Sequence, residues 1–300
     1  MVVAILGPTA SGKSELGLAL AERLSGEIVC CDSMQVYRGM DIGTGKATPH
    51  EQRRCPHHLL DIVDPTEPFH AAAWAERART VIDEIIVRGR TPIIVGGTGL
   101  YFRALRGGLF DAPTSDPLIR ARHQAEAAAS GVPALHRRLQ EIDPEAAARI
   151  MPGDLIRTSR ALEVYEQTGI PMSELRRRAT RPPLPWCLSV VVLDYPLDQL
   201  RLLIHARIDR MMATGFLAEV AALRHAGFGQ TRALAALGYK QLGQHLDGLL
   251  TLEEAVAQTK TVTSAYARRQ RTWFRREQSD IRAATPPDPD ALAQDLLARS

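Results

Sequence analysis

The chain opens on a run of consecutive apolar residues, Val2–Leu6, followed by a glycine-rich polar stretch and then helical spacing from Lys13 to Leu24. A short apolar run bounded by a turn is the pattern of a strand buried on both faces. Glu27–Cys31 reads as a second strand, Ala71–Arg88 as an amphipathic helix and Pro92–Val95 as a third strand. Strand–helix–strand alternation predicts an α/β fold, a parallel sheet with helices on both faces.

The pattern changes from about Pro117 to Pro185. Pro113, Pro117, Pro133 and Pro144 punctuate Ala- and Arg-rich segments with helical spacing and no core strand. The breaker cluster Arg181-Pro182-Pro183-Leu184-Pro185 closes the region, and a buried strand returns at Leu188–Leu193. The expected organisation is a helical insertion domain, 116–182, inside a sheet domain built from 1–115 and 183–300. The remainder reads as helical, with long helices at Leu197–Phe216 and Glu254–Glu277. The last fifteen residues, carrying Pro286-Pro287-Asp288-Pro289-Asp290, read as a loosely attached tail.

Composition narrows the class without naming a partner. An apolar fraction of 45% can fill a core, and a formal net charge of +3 says little until the charges are placed. The cysteines Cys30, Cys31, Cys55 and Cys187 form no C-x-x-C pair, which points to a reducing compartment. Cys55-Pro56-His57-His58 lacks the second ligand pair of a zinc site. No apolar run approaches the roughly 20 residues of a membrane span. A core strand at Val2–Leu6 leaves no room for a signal peptide, so a cytoplasmic protein is expected.

Gly7-Pro8-Thr9-Ala10-Ser11-Gly12-Lys13-Ser14 satisfies G-x-x-x-x-G-K-[ST] at each defined position, between a strand and a helix. Such a P-loop wraps an anion with backbone N–H groups and the helix N-terminus. Lys13 adds a point charge, and the Ser14 hydroxyl can ligate Mg²⁺. The loop therefore predicts a diphosphate or triphosphate ligand. The strand Pro92–Val95 runs into Gly96-Gly97-Thr98-Gly99, with none of the acid that a nucleotide-hydrolysing motor places there. An acid does end the preceding strand. Asp32 lies at the carboxyl edge of the sheet, where open α/β sheets bind ligands. It reads as a metal ligand, a proton acceptor or a turn-capping aspartate.

Two further features concern charge. Arg207 falls inside the apolar stripe of Leu197–Phe216, between Leu203 and Met211, and a buried guanidinium needs an anion. A carboxylate and a bound diphosphate suit it equally. In Glu254–Glu277, Lys260, Arg268, Arg271 and Arg275 recur along one face beside Tyr266, Trp273 and Phe274. The insertion adds Arg157, Arg160 and Arg176-Arg177-Arg178. Cationic stripes with aromatics suit RNA, and each alone also reads as a solvated face.

Taken together, these segments resemble the bacterial tRNA dimethylallyltransferases, or tRNA isopentenyl transferases. The resemblance is carried by Gly7–Ser14, Asp32–Arg38, Gly43–Thr48, Pro56–Asp61, Val95–Tyr101, Arg160–Val164, Gly238–Lys240, Tyr266–Gln270 and Trp273-Phe274, in order along nearly the whole chain. It implies a P-loop NTPase-like fold and transfer of a dimethylallyl group from dimethylallyl diphosphate to N6 of the adenosine 3′-adjacent to the tRNA anticodon. It implies Mg²⁺ as cofactor, the anticodon stem-loop of tRNA as partner and a monomer. Gly7–Ser14 with Arg207 would hold the diphosphate. Asp32 would face the acceptor amine and Thr98 the substrate across the reaction channel, with Lys13 and Arg207 assisting catalysis. Asp32, Ser33, Met34, Gln35, Thr98, Arg120, Ile156, Arg157, Thr158, Ser159 and Arg160 would contact tRNA. So would Gly238, Tyr239, Lys240, Gln270, Arg271, Trp273, Phe274, Arg275 and Arg276. The chain departs from the family at Met151-Pro152-Gly153-Asp154, where members often carry Asn-Asp, and at Gln241, where Glu is usual. A P-loop small-molecule kinase and an adenylate isopentenyltransferase share the loop but have no use for the basic helices.

Overall fold

The structure, a computed structural model, describes residues 1–108, 113–179 and 184–299. Two compact bodies make up the chain: Met1–Arg106 with Leu184–Ser300, and Gly107–Pro183. The breaker residues 181–183 lie outside the described residues.

The first body is built on a sheet of six strands, all parallel, in the order β3-β2-β4-β1-β5-β6. These are β1 Val2–Leu6, β2 Gly26–Cys31, β3 His57–His58, β4 Thr91–Gly96, β5 Leu188–Leu193 and β6 Ile281–Ala283. Every residue of β1 is buried, because β1 lies inside the sheet and helices cover both of its faces. Alternate residues serve opposite layers. Val3, Ile5, Ile93 and Val191 face a core shared with the helix Lys13–Arg23, while Val2, Ala4, Ile94 and Val190 face one shared with the helix Ala71–Val87. The strands read as unbroken apolar runs because both sides are dry.

Three expectations are corrected. The region after β5 is not purely helical: β6 adds an edge strand, too short at three residues for its apolar pattern to stand out. The predicted helix Leu197–Phe216 ends at Ala213, where Gly215 turns at φ 103° and a second helix, Phe216–Leu223, begins. The supposed tail is docked. Its helix Pro289–Ala298 is capped by Asp288, buries Leu292 and Leu296 in the core beside Lys13–Arg23, and binds Arg23 through Asp290 at 2.5 Å. Its prolines end one element and start the next.

The second body is helical throughout its described residues. Helices Pro117–Ser130, Val132–Ile142, Pro144–Arg149, Leu155–Thr168 and Met172–Arg178 enclose a core around Leu135, Leu139 and Leu162. Within it Asp143 accepts from Ala146 N and Ser173 N, and His123 lies between Ser159 and Glu166. Among the described residues, no helix is long and apolar enough to cross a membrane.

If the last helix is core rather than tail, Leu292→Ala should lower unfolding free energy by about 2–5 kcal/mol. Denaturant melts check this; a midpoint within error of the parent would show the helix to be dispensable.

Candidate active site

Register brings four loops together at the carboxyl edge. Leu6 and Cys31 both pair with Gly96, and Leu6 also pairs with Val192. The chain therefore leaves β1, β2, β4 and β5 at neighbouring points, at Gly7, Asp32, Gly97 and Asp194. At Gly96 a Cβ would lie 2.0 Å from the Cys31 carbonyl oxygen, so the strands' close approach requires glycine.

In the Gly7–Ser14 loop, Ala10 and Gly12 take left-handed φ values of 64° and 78°. Such alternation turns peptide N–H groups toward a common centre, an anion nest. Lys13 Nζ folds back to donate to the Pro8 carbonyl at 3.0 Å. Burial first, and then nearby Arg207, lower the Lys13 pKa to about 8, with Asp32 opposing both. Ser11 is fully buried, and its Oγ meets no partner among the described residues. A buried hydroxyl left in this way is one that a bound anion would satisfy.

Arg207 stands in the same cavity. Among the described residues no carboxylate lies within ion-pair distance of it, and its guanidinium donates weakly to the Thr44 carbonyl at 3.4 Å. Burial lowers its pKa while Asp32 raises it. Of the two partners the sequence left open, the protein carboxylate is missing. Asp32 ends β2 as placed from sequence. Its Oδ1 accepts from Met34 N at 2.8 Å and Gln35 N at 3.4 Å, while Oδ2 accepts from no group among the described residues.

These groups face a cavity of about 420 Å³. Lys13, Ser14, Asp32 and Arg207 supply polar lining, and Ile204, Ile208, Met211 and Leu237 apolar lining. Thr98 does not line it. Its hydroxyl accepts from Ser33 N at 3.0 Å and donates to Ser33 Oγ at 3.4 Å, so it braces the turn that carries Asp32.

The helix Leu252–Phe274 supplies the roof, with Thr259, Thr263, Tyr266 and Gln270 on the cavity side. Gln270 is buried. Its Oε1 accepts from Thr9 N at 2.9 Å and its Nε2 donates to Gly97 O at 2.8 Å, joining the phosphate loop to the loop after β4. It was expected to touch RNA; its amide is committed to protein.

The other expected RNA-contacting residues divide by exposure. Lys240, Ile156, Arg157 and Arg276 are exposed. Tyr239, Phe274, Thr158 and Ser159 have buried side chains, and Tyr239 is among the residues that line the cavity. Tyr239 donates its hydroxyl to Glu219 at 2.6 Å, and Ser159 meets His123 at 2.9 Å. Arg120 and Arg160 both reach the buried Glu163. Arg271 and Arg275 share Asp194, while exposed Arg268 has no ion pair among the described residues. Arg103 stacks over Trp273 at 4.1 Å. Ser33, Met34 and Gln35 lie in the cavity wall, and Gln35 Nε2 donates to the Thr44 and Gly45 carbonyls at 3.1 Å each. Glu219 lies outside the segments that carry the family resemblance, and Lys46 lies within one of them, Gly43–Thr48.

Comparison with known proteins decides the family. The IPP transferase family model matches residues 35–277, and an isopentenyl transferase model matches residues 1–61. The tRNA dimethylallyltransferase of Halorhodospira halophila is 47% identical over 94% of this chain and 92% of its own length. The chain belongs to the tRNA dimethylallyltransferase family. A second member, from Anaeromyxobacter dehalogenans, is 46% identical over 99% of both chains. The crystal structure of a full-length tRNA isopentenylpyrophosphate transferase from Bacillus halodurans superposes with a TM-score of 0.71 at 40% identity, covering 99% of this chain and 94% of that one. A eukaryotic dimethylallyltransferase acting on tRNA gives a TM-score of 0.77 at 27% identity, over 99% of this chain and 77% of its own. The parallel α/β sheet with a helical insertion is the architecture of this transferase family.

Lys13 gives a pH test. A lysine with its pKa near 8 loses its charge far earlier than one near 10.5. Affinity for inorganic diphosphate should therefore fall as pH rises through about 8, with proton uptake on binding in that range. Titration calorimetry in buffers of different ionisation enthalpy measures both. Constant affinity from about pH 7 to 9 would remove Lys13 from the site.

Proposed function

We propose that this chain transfers the dimethylallyl group of dimethylallyl diphosphate to N6 of the adenosine 3′-adjacent to the anticodon of tRNA, releasing diphosphate. The observation that carries the reading is Arg207, a half-buried guanidinium with no carboxylate partner among the described residues, in one cavity with Lys13 and Asp32. Two cations and an anion nest suit a departing diphosphate, whose charge grows as the allylic C–O bond breaks. The apolar lining at Ile204, Ile208 and Met211 suits the five-carbon chain. The unengaged Asp32 oxygen suits the proton that the exocyclic amine sheds as it attacks.

Mg²⁺ fits these residues. The described residues hold no cluster of three or more His, Cys, Asp or Glu able to cage a metal. Mg²⁺ commonly needs only one or two protein oxygens, completing its shell with phosphate and water. Ser14 would hold it, and the ion would neutralise part of the leaving group's charge. The partner is tRNA, met by the exposed cations of the helix Leu252–Phe274 and of the insertion, and the protein acts as a monomer.

Incubation of unmodified tRNA with labelled dimethylallyl diphosphate or labelled ATP tests the donor. Label should move to tRNA from the first alone; turnover of ATP to ADP would make the protein a kinase.

For the base, Asp32→Asn should slow single-turnover transfer at saturating donor by about 10²–10⁴-fold with diphosphate binding nearly intact. A rate restored to the parent value by excess Mg²⁺ would make Asp32 a metal ligand instead.

For the RNA surface, Arg268→Ala should weaken tRNA binding and reduce the log–log salt slope by about 0.7–0.9 without altering donor affinity. An unchanged slope would leave Arg268 on a merely solvated face. Arg271→Ala should affect donor affinity as well, because it removes the shorter of the two ion pairs that hold Asp194 at the carboxyl edge of the sheet.

A further inference from the structure

The loop Asp41–Lys46 forms part of the cavity lining at Arg207, with Gly43 packed closely on Phe216 and Tyr239. Gly45 sits so close to Arg207 that a Cβ there would lie 1.8 Å from Nη2, and the Thr44 carbonyl faces the same guanidinium. Gly45 also has φ 61°, so both space and backbone conformation require glycine. Small displacements of this loop therefore move Arg207 directly.

Glu219 holds the loop. It lies in the first turn of the helix Phe216–Leu223. Its carboxylate accepts from three consecutive backbone N–H groups: Asp41 N at 3.1 Å, Ile42 N at 2.6 Å and Gly43 N at 3.1 Å. The buried Tyr239 hydroxyl adds a fourth bond at 2.6 Å, to the same Oε1 that Gly43 uses. Four donors on one carboxylate fix it in a single orientation, and each such charge-assisted bond is stronger than a neutral one. On the other flank, Lys46 Nζ bonds Asp41 and Asp61 at 2.5 Å each and the Tyr37 carbonyl at 2.9 Å. Lys46 thus fixes the end of the loop, while Glu219 fixes the stretch that leads into Thr44 and Gly45.

We infer that Glu219 is a positioning residue of the diphosphate site: it clamps the backbone of residues 41–43 so that Thr44 and Gly45 hold Arg207 toward the donor. The inference rests on the function proposed above for Arg207. It also assigns the buried Tyr239 a task, which is to orient the Glu219 carboxylate.

Glu219→Gln is the informative change, because the amide keeps the size but offers one acceptor oxygen where two are used, and turns an N–H₂ toward backbone N–H groups. The KM for dimethylallyl diphosphate and the dissociation constant of inorganic diphosphate should both rise roughly 10- to 100-fold. Tyr239→Phe should move the same two quantities in the same direction by a smaller factor. Glu219→Asp, which retains both oxygens, should recover part of the loss.

A double-mutant cycle with Arg207→Ala separates positioning from mere stability. If Glu219 acts through Arg207, adding Glu219→Gln to Arg207→Ala should change diphosphate affinity by less than about twofold. An equal fold-change in both backgrounds would overturn the inference. So would a Glu219→Gln protein that melts earlier while its folded fraction keeps the parent KM and diphosphate affinity. Should Glu219→Gln fail to fold, the Tyr239→Phe cycle with Arg207→Ala decides on the same criteria. The parent's transfer of label to tRNA is measured alongside. A parent that binds diphosphate and shows the coupling, yet modifies no tRNA, sinks the proposed function and leaves the clamp standing.

Discussion

Two cations share one desolvated cavity with Asp32 as their nearest opposing charge. Burial pushes Lys13 and Arg207 toward their neutral forms, and Arg207 pushes Lys13 further. Without an incoming anion this arrangement is costly, since like charges in a poorly solvated space repel and neither is fully paired. The neighbouring elements tolerate the cost by rigid construction. The sheet register places the phosphate loop beside Asp32, Gln270 ties that loop to the tip of β4, and the Asp41–Lys46 loop is closed against Arg207. A site built this way has paid its reorganisation before the substrate arrives, which is what electrostatic catalysis requires.

How much of this the sequence disclosed depended on the range of the signal. The central strands were legible because burial on both faces leaves an uninterrupted apolar run, and Gly7–Ser14 was legible because chemistry and backbone geometry constrain every defined position. Arg207 was visible as an anomaly in an apolar stripe, but its partner was not, because ion pairing depends on residues far away in sequence. Thr98, Gln270 and Tyr239 were noticed through the family resemblance. Their bonds run to Ser33, to Thr9 and Gly97, and to Glu219, across separations no local pattern encodes. The docked C-terminal helix was misread for the opposite reason: its prolines gave a strong local signal for a break, and local composition cannot report that Leu292 and Leu296 find a core.

The helix Leu252–Phe274 shows how one amphipathic element serves two surfaces. Its Thr259, Thr263, Tyr266 and Gln270 side chains line the cavity, and Arg268 and Arg275 point to solvent. A spacing of three and four residues generates both faces from a single helical period. Asp194 at the end of β5 takes Arg271 and Arg275, anchoring the outer face to the same sheet edge that anchors the site.

The docking of residues 286–296 carries a consequence for how the protein is made. Pro286 lies against Gly12 of the phosphate loop, close enough that a Cβ on that glycine would sit 2.9 Å from it, and Asp290 grips Arg23 on the helix that the loop begins. The loop leaves the ribosome before the residues of the last helix that pack beside it. During synthesis a nascent chain therefore carries the phosphate-binding signature without the walls that desolvate it. Contacts between such distant segments form slowly, after their loop-closure entropy has been met. The contact of Pro286 on Gly12 and the grip of Asp290 on Arg23 are thus acquired late, together with the rest of the tertiary structure.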